Sequence, residues 1–286
     1  MLILTSHKRW KVYMKNKKII LITGASSGMG YESAKLLAKE GHIVYGGARS
    51  LDKMESLKDF GVIPLYLDIT NEQSCTDIVK TIIEKEGKID VLINNAGYGS
   101  FGAIEDVTLD EARKQFEVNV FGLANLTKKI LPFMRENKNG RVINISSMGG
   151  KFVSYFGGWY HASKYAVEAL SDALRMEVSE FGIDVVLIEP GIIKTCWDSI
   201  ALDNLDQCCQ NGAYKNSALK VISGMKKFYN CKLASKPILI SKIISKAVNT
   251  KKPKARYLAG FCAKPLVFLH TILPEKAFDF IIKHSL

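Results

Sequence analysis

The sequence predicts an α/β protein built on a doubly wound parallel sheet with helices on both faces. Two observations carry that expectation. Short apolar runs rich in Ile, Val and Leu recur along the chain, continuous rather than alternating, as expected of strands buried on both faces. Longer segments with helical periodicity separate them, and a regular β-α-β order with right-handed crossovers generates a parallel sheet whose ligands bind beyond the carboxyl ends of the strands.

The elements follow in order. Strands are expected at 19–23, 42–47, 63–67, 91–95, 141–146 and 184–189, and helices at 28–40, 71–86, 108–136 and 160–181. Gly41 is a normal stop for the first helix. Alternation ends after Pro190. Residues 191–236 read as a mobile, partly helical insertion, followed by a helix at 236–249, a turn at 251–254 and an apolar end punctuated by basic residues. Residues 1–13 read as a basic extension, and Met14 opens a credible start before the first strand. There is no internal repeat and no linker rich in Pro or Gly.

The bulk properties suit this reading. A chain of 286 residues, 47% hydrophobic and 24% charged, is long enough for one large α/β domain or two small ones. No apolar run reaches the ~18 residues of a membrane-spanning helix. The N-terminus has the wrong order for a secretory signal, so a cytoplasmic protein is expected. The net charge of +12 is concentrated at the ends: residues 1–18 carry +6 and residues 251–286 carry +5, leaving +1 for the body. That distribution disfavours a nucleic-acid groove and leaves solvated ends or a loose contact with an anionic membrane surface. The six cysteines, Cys75, Cys196, Cys208, Cys209, Cys231 and Cys262, form no metal-binding spacing, and no metal is expected.

Thr23–Gly30 (TGASSGMG) follows the first strand and opens a helix. Gly24, Gly28 and Gly30 lack side chains where a diphosphate would approach the backbone, and the helix N-terminus favours its charge. At the end of the second strand stands Arg49 instead of an acid. An acid would grip the 2′-hydroxyl of NAD(H), whereas Arg49 can pair with the 2′-phosphate of NADP(H). NADP(H) is therefore expected, with NAD(H) as the alternative. Asp68 ends the third strand, placed either to touch adenine or to cap the next helix.

The pattern Tyr-x-x-x-Lys occurs three times, at Tyr13/Lys17, Tyr31/Lys35 and Tyr160/Lys164. Only the last has a serine, Ser147, thirteen residues upstream and the glycine turn earlier in the chain. Free tyrosine has a pKa near ~10, and a nearby ammonium favours phenolate. Four residues apart on a helix, Lys164 and Tyr160 share a face. Tyr160 can then exchange a proton with a substrate oxygen that Ser147 also holds.

Together, Thr23–Gly30, Leu67-Asp68, Asn94–Gly97, Asn119 within FEVNVFG, Ser147, Tyr160–Lys164 (YHASK) and Pro190-Gly191 resemble the short-chain dehydrogenase/reductase family in its single-domain branch, from about Lys18 to Thr195. Met29 and His161 depart at variable positions. The resemblance implies one Rossmann-like domain over 14–286 with about seven strands. It implies catalytic roles for Ser147, Tyr160 and Lys164, the lysine also binding the nicotinamide ribose. Asn119 resembles the residue that holds a water in the proton relay, with a helix kink as its alternative. Thr23, Ser26, Ser27 and Met29 join the three glycines as cofactor-binding candidates, with Ile69 beside Asp68. Asn95, Ala96 and Gly97 combine strand-end support with lining the adenine-ribose pocket. Pro190, Gly191, Ile193 and Thr195 resemble the segment at the nicotinamide carboxamide, Thr195 having a plain helix cap as its alternative.

Residues 191–236 are expected to form a lid over the substrate. Ile192, Ile193, Trp197, Ile200, Leu202, Leu205 and Tyr214 make it apolar, and Phe152, Val153, Tyr155, Phe156 and Trp159 add to that, about half of them as packing. The segment 251–286 resembles the tail of a bacterial subgroup compared with hydroxysteroid, retinol and acyl-dihydroxyacetone-phosphate reductases, and either covers the substrate entrance or touches lipid. The expected function is NADP(H)-dependent interconversion of a carbonyl and an alcohol on a lipophilic substrate, in a homodimer or homotetramer. The competing readings are a non-catalytic NADP-binding regulator, a reductase of small polar carbonyls, and a sugar-nucleotide epimerase, whose TGxxGxxG pattern is missing.

Overall fold

The computed structural model describes residues 17–195 and 197–284, without the side chains of Trp197, Asp198 and Asn230. The extension at 1–13, with Tyr13 of the first Tyr/Lys pair, and Cys196 lie outside the described residues, as does the Trp197 side chain expected in the lid. Seven parallel strands form one sheet: β1 Ile19–Thr23, β2 Ile43–Ala48, β3 Val62–Tyr66, β4 Val91–Asn94, β5 Gly140–Ile145, β6 Ile183–Pro190 and β7 Arg256–Ala259, in the order β3-β2-β1-β4-β5-β6-β7. The helices are α1 Gly28–Lys39, α2 Glu72–Glu86, α3 Leu109–Phe116, α4 Leu123–Glu136, α5 Gly158–Glu177, α6 Trp197–Cys209, α7 Lys215–Asn230, α8 Pro237–Asn249, α9 Ala263–Ile272 and α10 Glu275–His284.

Strand parity divides the core. Ile20 and Ile22 of β1 face one layer with Leu37 of α1 and Ile240 and Ile244 of α8. Ile19 and Leu21 face the other with Ile78 and Ile82 of α2 and Leu126 and Ile130 of α4. Two apolar faces per strand explain the unbroken runs in the sequence. Pro64 in β3 is tolerated because β3 is an edge.

The structure departs from the sequence expectations in four places. The helix expected over 108–136 is broken by a π-turn at Glu117–Gly122. Residues Asp52–Phe60 form 3₁₀ turns that were not expected. The insertion at 191–236 folds into the two well-formed helices α6 and α7. The seventh strand, β7, is only four residues long and follows directly on the turn at 251–254, too short to show a period. It exists because β6 offers it an edge, pairing Leu187 with Arg256 and Pro190 with Ala259.

Candidate active site

The carboxyl ends of β4, β5 and β6 open onto a cavity of about 290 Å³. Its polar side carries Ser146, Ser147, Tyr160 and Lys164, while Met225 and Phe228 of α7, Leu266 of α9 and Ile282 of α10 supply an apolar wall opposite.

Three elements set the polar side. Ser147 lies past the end of β5 and caps a 3₁₀ turn at Met148–Gly150, its Oγ accepting the Gly149 N–H at 3.0 Å. α5 carries Tyr160 and Lys164 one turn apart, each buried to 8% exposure. Ser147 hydrogen-bonds Tyr160 and pulls its pKa down, but burial dominates and pushes the phenol up to about 12. The Lys164 ammonium donates to the Ile145 carbonyl at 2.9 Å and lies 6.0 Å from the centre of the Tyr160 ring. Burial lowers its pKa to about 8, against the opposing pull of Glu168. The competing pair Tyr31/Lys35 sits on α1 away from the cavity, Tyr31 bonded to Ser56 at 2.8 Å and Lys35 over the Phe60 ring.

Asn119 stands in the π-turn at 1% exposure. Its amide donates to the Tyr98 carbonyl at 2.9 Å and to Ser163 Oγ at 3.0 Å, and its oxygen accepts the Tyr98 N–H at 3.0 Å. The side chain thus ties the π-turn to the loop after β4 through Tyr98 and to α5 through Ser163. A methyl at Gly97 would stand 3.0 Å from Asn119 Oδ1 and 3.7 Å from the Lys164 ammonium, so both side chains lie close to this glycine.

The glycine turn is closely packed. Gly24 has φ +68° and a methyl on Gly30 would collide with the Gly24 carbonyl, so both positions require glycine. Thr23 Oγ1 accepts the N–H groups of Asn95 and Ala96, and Asn95 Nδ2 returns to the Thr23 carbonyl at 3.0 Å. These bonds latch β1 to β4. Ser27 is the N-cap of α1 but makes no capping bond, and the first turn holds no acid. Ser26 is half-buried and Ser27 exposed beside it, while Met29 lines the cavity.

At the far end of this turn, Arg49 is exposed and its charge helps hold Asp68 ionised, chiefly with Thr70, whose N–H and hydroxyl both donate to Asp68 Oδ1. Asp68 does not cap α2: Asn71 does, accepting the Ser74 N–H at 2.8 Å. The Ile69 side chain is buried in the core, which leaves its backbone as the part able to meet a ligand. Pro190, Gly191, Ile193 and Thr195 line the cavity, although Ile193 also packs into the core. A methyl at Gly191 would collide with the Phe261 carbonyl, so the fit of the C-terminal segment accounts for that glycine. Thr195 lies over Gly28, 3.4 Å from where a methyl would stand.

Of the lid candidates, Ile192, Ile193 and Phe152 line the cavity, whereas Leu202, Leu205, Phe156 and Tyr214 pack in the cluster beneath the lid. Ile200 and Val153 are exposed. Cavity-lining residues absent from the sequence reading include Ser146, Met225, Phe228, Leu266 and Ile282, and His161 was read only as a variable position. The i, i+3 spacing of Met225 and Phe228 was a legible helical stripe. Nothing local marked Ser146 or the tail residues, because only tertiary packing turns them inward. Among the described residues no three His, Cys, Asp or Glu side chains gather to hold a metal ion, and the five described cysteines are free thiols.

A nicotinamide dinucleotide fits these residues. The N-terminus of α1 has neither cap nor acid to compete with a diphosphate, and Ser146 Oγ is buried at the cavity wall with no partner among the protein groups. A dinucleotide turn facing a Ser-Tyr-Lys group defines an oxidoreductase working between C=O and CH–OH. The family model for short chain dehydrogenases matches residues 18–202. A 3-ketodihydrosphingosine reductase of Bacteroides thetaiotaomicron is 40% identical over 245 residues, covering 85% of this chain and 88% of the relative. A probable short-chain type dehydrogenase/reductase of Helicobacter pylori, VdlC, is 35% identical over 267 residues, 92% and 96% of the two chains. The crystal structure of a short-chain dehydrogenase from Streptomyces avermitilis superposes with a TM-score of 0.78 at 31% identity, covering 90% of this chain and 93% of that one. The chain belongs to the short-chain dehydrogenase/reductase family and has its Rossmann-like fold.

Proposed function

We propose that the protein is an NADP(H)-dependent reductase or dehydrogenase that interconverts a ketone or aldehyde and its alcohol on a lipophilic substrate such as a long-chain lipid ketone, a steroid or a retinoid. The observation that carries this is the two-sided cavity, with Ser147, Tyr160 and Lys164 on one wall and side chains of α7, α9 and α10 on the other. The bound cofactor supplies hydride to the carbonyl carbon. Tyr160, protonated near neutrality, donates its proton to the oxygen as negative charge develops there, and Ser147 holds the same oxygen by a hydrogen bond. Lys164 binds the cofactor ribose and passes a proton towards Tyr160. Asn119 serves that relay by bracing the π-turn and the Gly97–Tyr98 loop.

Arg49 supports NADP(H) over NAD(H), since it is an exposed cation at the end of β2 with no acid in its place. Residues 191–236 act as the lid, with the tail closing its far side. The Bacteroides relative, named for a ketone with a long-chain lipid skeleton, supports a lipid ketone in particular. The enzyme is read as cytoplasmic. No described helix is long and apolar enough to cross a membrane, and contact with an anionic bilayer is assigned to the outward side of α9 and α10, where Phe268, Ile272 and Phe280 stand 62%, 56% and 64% exposed among Lys264, Lys276 and Lys283. A homodimer or homotetramer is the proposed assembly, with Phe121 and, on α5, Leu170 and Met176 exposed for such a contact.

The test is NADPH consumption with 3-ketodihydrosphingosine, ketosteroids, retinal, medium-chain aldehydes, quinones and acyl-dihydroxyacetone phosphate beside small polar ketones. Turnover confined to the small polar ketones would overturn the lipophilic reading.

A further inference from the structure

His161 follows Tyr160 on α5, yet its ring turns away from solvent and is 4% exposed. It sits between two segments of the loop that carries Ser147. A methyl at Gly149 would stand 2.6 Å from Nδ1, and one at Gly157 would stand 2.5 Å from Nε2, so the loop has glycine where the ring lies against it. Nε2 is 2.9 Å from the Ser154 backbone nitrogen and 2.8 Å from its hydroxyl. A backbone N–H can only donate, so Nε2 is the acceptor and the ring proton is on Nδ1. Nδ1–H therefore donates to the Gly149 carbonyl at 2.8 Å. Burial presses the imidazole pKa down to about 4, so the ring stays neutral and keeps this tautomer across the working pH range.

Gly149 is also the residue whose N–H donates to Ser147 Oγ at 3.0 Å. That bond occupies a lone pair of the Ser147 hydroxyl and leaves its hydrogen to point at the Tyr160 oxygen, the direction that lowers the phenol pKa. Two hydrogen bonds thus meet at Gly149, one from His161 to its carbonyl and one from its N–H to Ser147, joined by the backbone of that residue.

We infer that His161 is a positioning residue: by anchoring the Gly149 carbonyl it holds the two peptide groups that meet at the Gly149 Cα, and with them the N–H that fixes the Ser147 hydroxyl and so the hydrogen bond that Ser147 gives to the reacting oxygen. The inference rests on the reading of Ser147 and Tyr160 given above. His161 also lines the cavity, but in this role it acts through Ser147 and not by contact with the reacting atoms. It acts as a neutral strut with one obligatory donor, and that requirement separates it from simple core packing. The Asn amide nitrogen reaches the position of Nδ1, whereas the Gln amide reaches the position of Nε2.

The experiment compares His161→Phe, His161→Asn and His161→Gln with Ser147→Ala, reading kcat, the KM for NADPH and Tm of the full-length chain. His161→Phe fills the space without a donor, and its kcat is expected to fall about tenfold or more with KM for NADPH within about twofold of the parent. His161→Asn is expected to recover most of that loss and His161→Gln little of it. Equal rescue by Asn and Gln overturns the strut, as does a His161→Phe kcat within about twofold of the parent while Ser147→Ala is impaired; in both cases the reading of the site stands. Full turnover by Ser147→Ala overturns the reading of the site and the role of His161 with it. If His161→Phe does not fold, the Asn–Gln comparison alone decides.

Discussion

Lys164 Nζ donates to the Ile145 carbonyl at 2.9 Å. The last residue of β5 thereby holds the ammonium at the strand end, 6.0 Å from the centre of the Tyr160 ring. Two buried groups that might have formed an ion pair instead each keep the proton they carry near neutrality, Tyr160 with a pKa of about 12 and Lys164 with one of about 8. The arrangement favours an acid, ready to donate to a carbonyl that is being reduced.

The pH dependence of reduction follows from that pair. Tyr160 stays protonated up to about 12 and adds no limb to the profile below that value. Lys164, lowered by burial, loses its proton as pH rises through about 8. kcat/KM for reduction should therefore be level from pH 6 to 7 and decline above about 8, checked by initial rates with saturating NADPH in overlapping buffers. A flat profile to pH 10 would sink the requirement for the ammonium.

Removing the phenolic hydroxyl should stop the chemistry without loosening the cofactor. Tyr160→Phe is expected to lower kcat by about two orders of magnitude or more, and Ser147→Ala by about one to two, with NADPH affinity within about threefold by fluorescence titration. The Phe ring preserves the contacts with Phe101 and His161, so Tm should move little. Retained turnover in Tyr160→Phe would refute its role as the acid.

Cofactor choice should respond to one exposed side chain. Arg49→Asp places an acid where the 2′-phosphate would lie, so the NADPH/NADH ratio of kcat/KM should fall by about tenfold or more. Asp68 already stands beside Arg49, and the added carboxylate would strengthen the local negative field. An unchanged ratio would show that Arg49 does not read the phosphate.

The tail should distinguish membrane contact from a solvated end. Flotation with vesicles containing phosphatidylserine should carry the protein, more so at low salt. Phe268→Ser with Ile272→Ser and Phe280→Ser should abolish it, because all three point outward while the cavity-lining Leu266 and Ile282 are untouched. Equal flotation of the two forms would remove the tail from that role.

Most of the sheet was legible because each strand is buried on both faces and declares itself as an unbroken apolar run, as in Ile19–Ile22. β7 was not, since four half-buried residues carry no period and depend on β6 for their partner. The π-turn at Glu117–Gly122 was foreshadowed only by the helix kink considered at Asn119, because the partners of that side chain, Tyr98 and Ser163, are more than twenty residues away in either direction. Asp68 was read as a candidate cap for α2, and the structure gives that place to Asn71, whose side chain accepts the Ser74 N–H.

The sequence by itself determined the chemistry of this protein. Ser147, Tyr160, Lys164 and the glycine turn are readable because residue type and spacing along one strand-helix unit are local properties. The tertiary structure decided the ionisation of that group and the shape of what it faces. Burial pushes the Tyr160 pKa up and the Lys164 pKa down, and the apolar lining comes from α7, α9 and α10, segments distant from Tyr160 in the chain. Desolvation and long-range packing depend on what surrounds a residue in space, which neighbours in sequence do not specify.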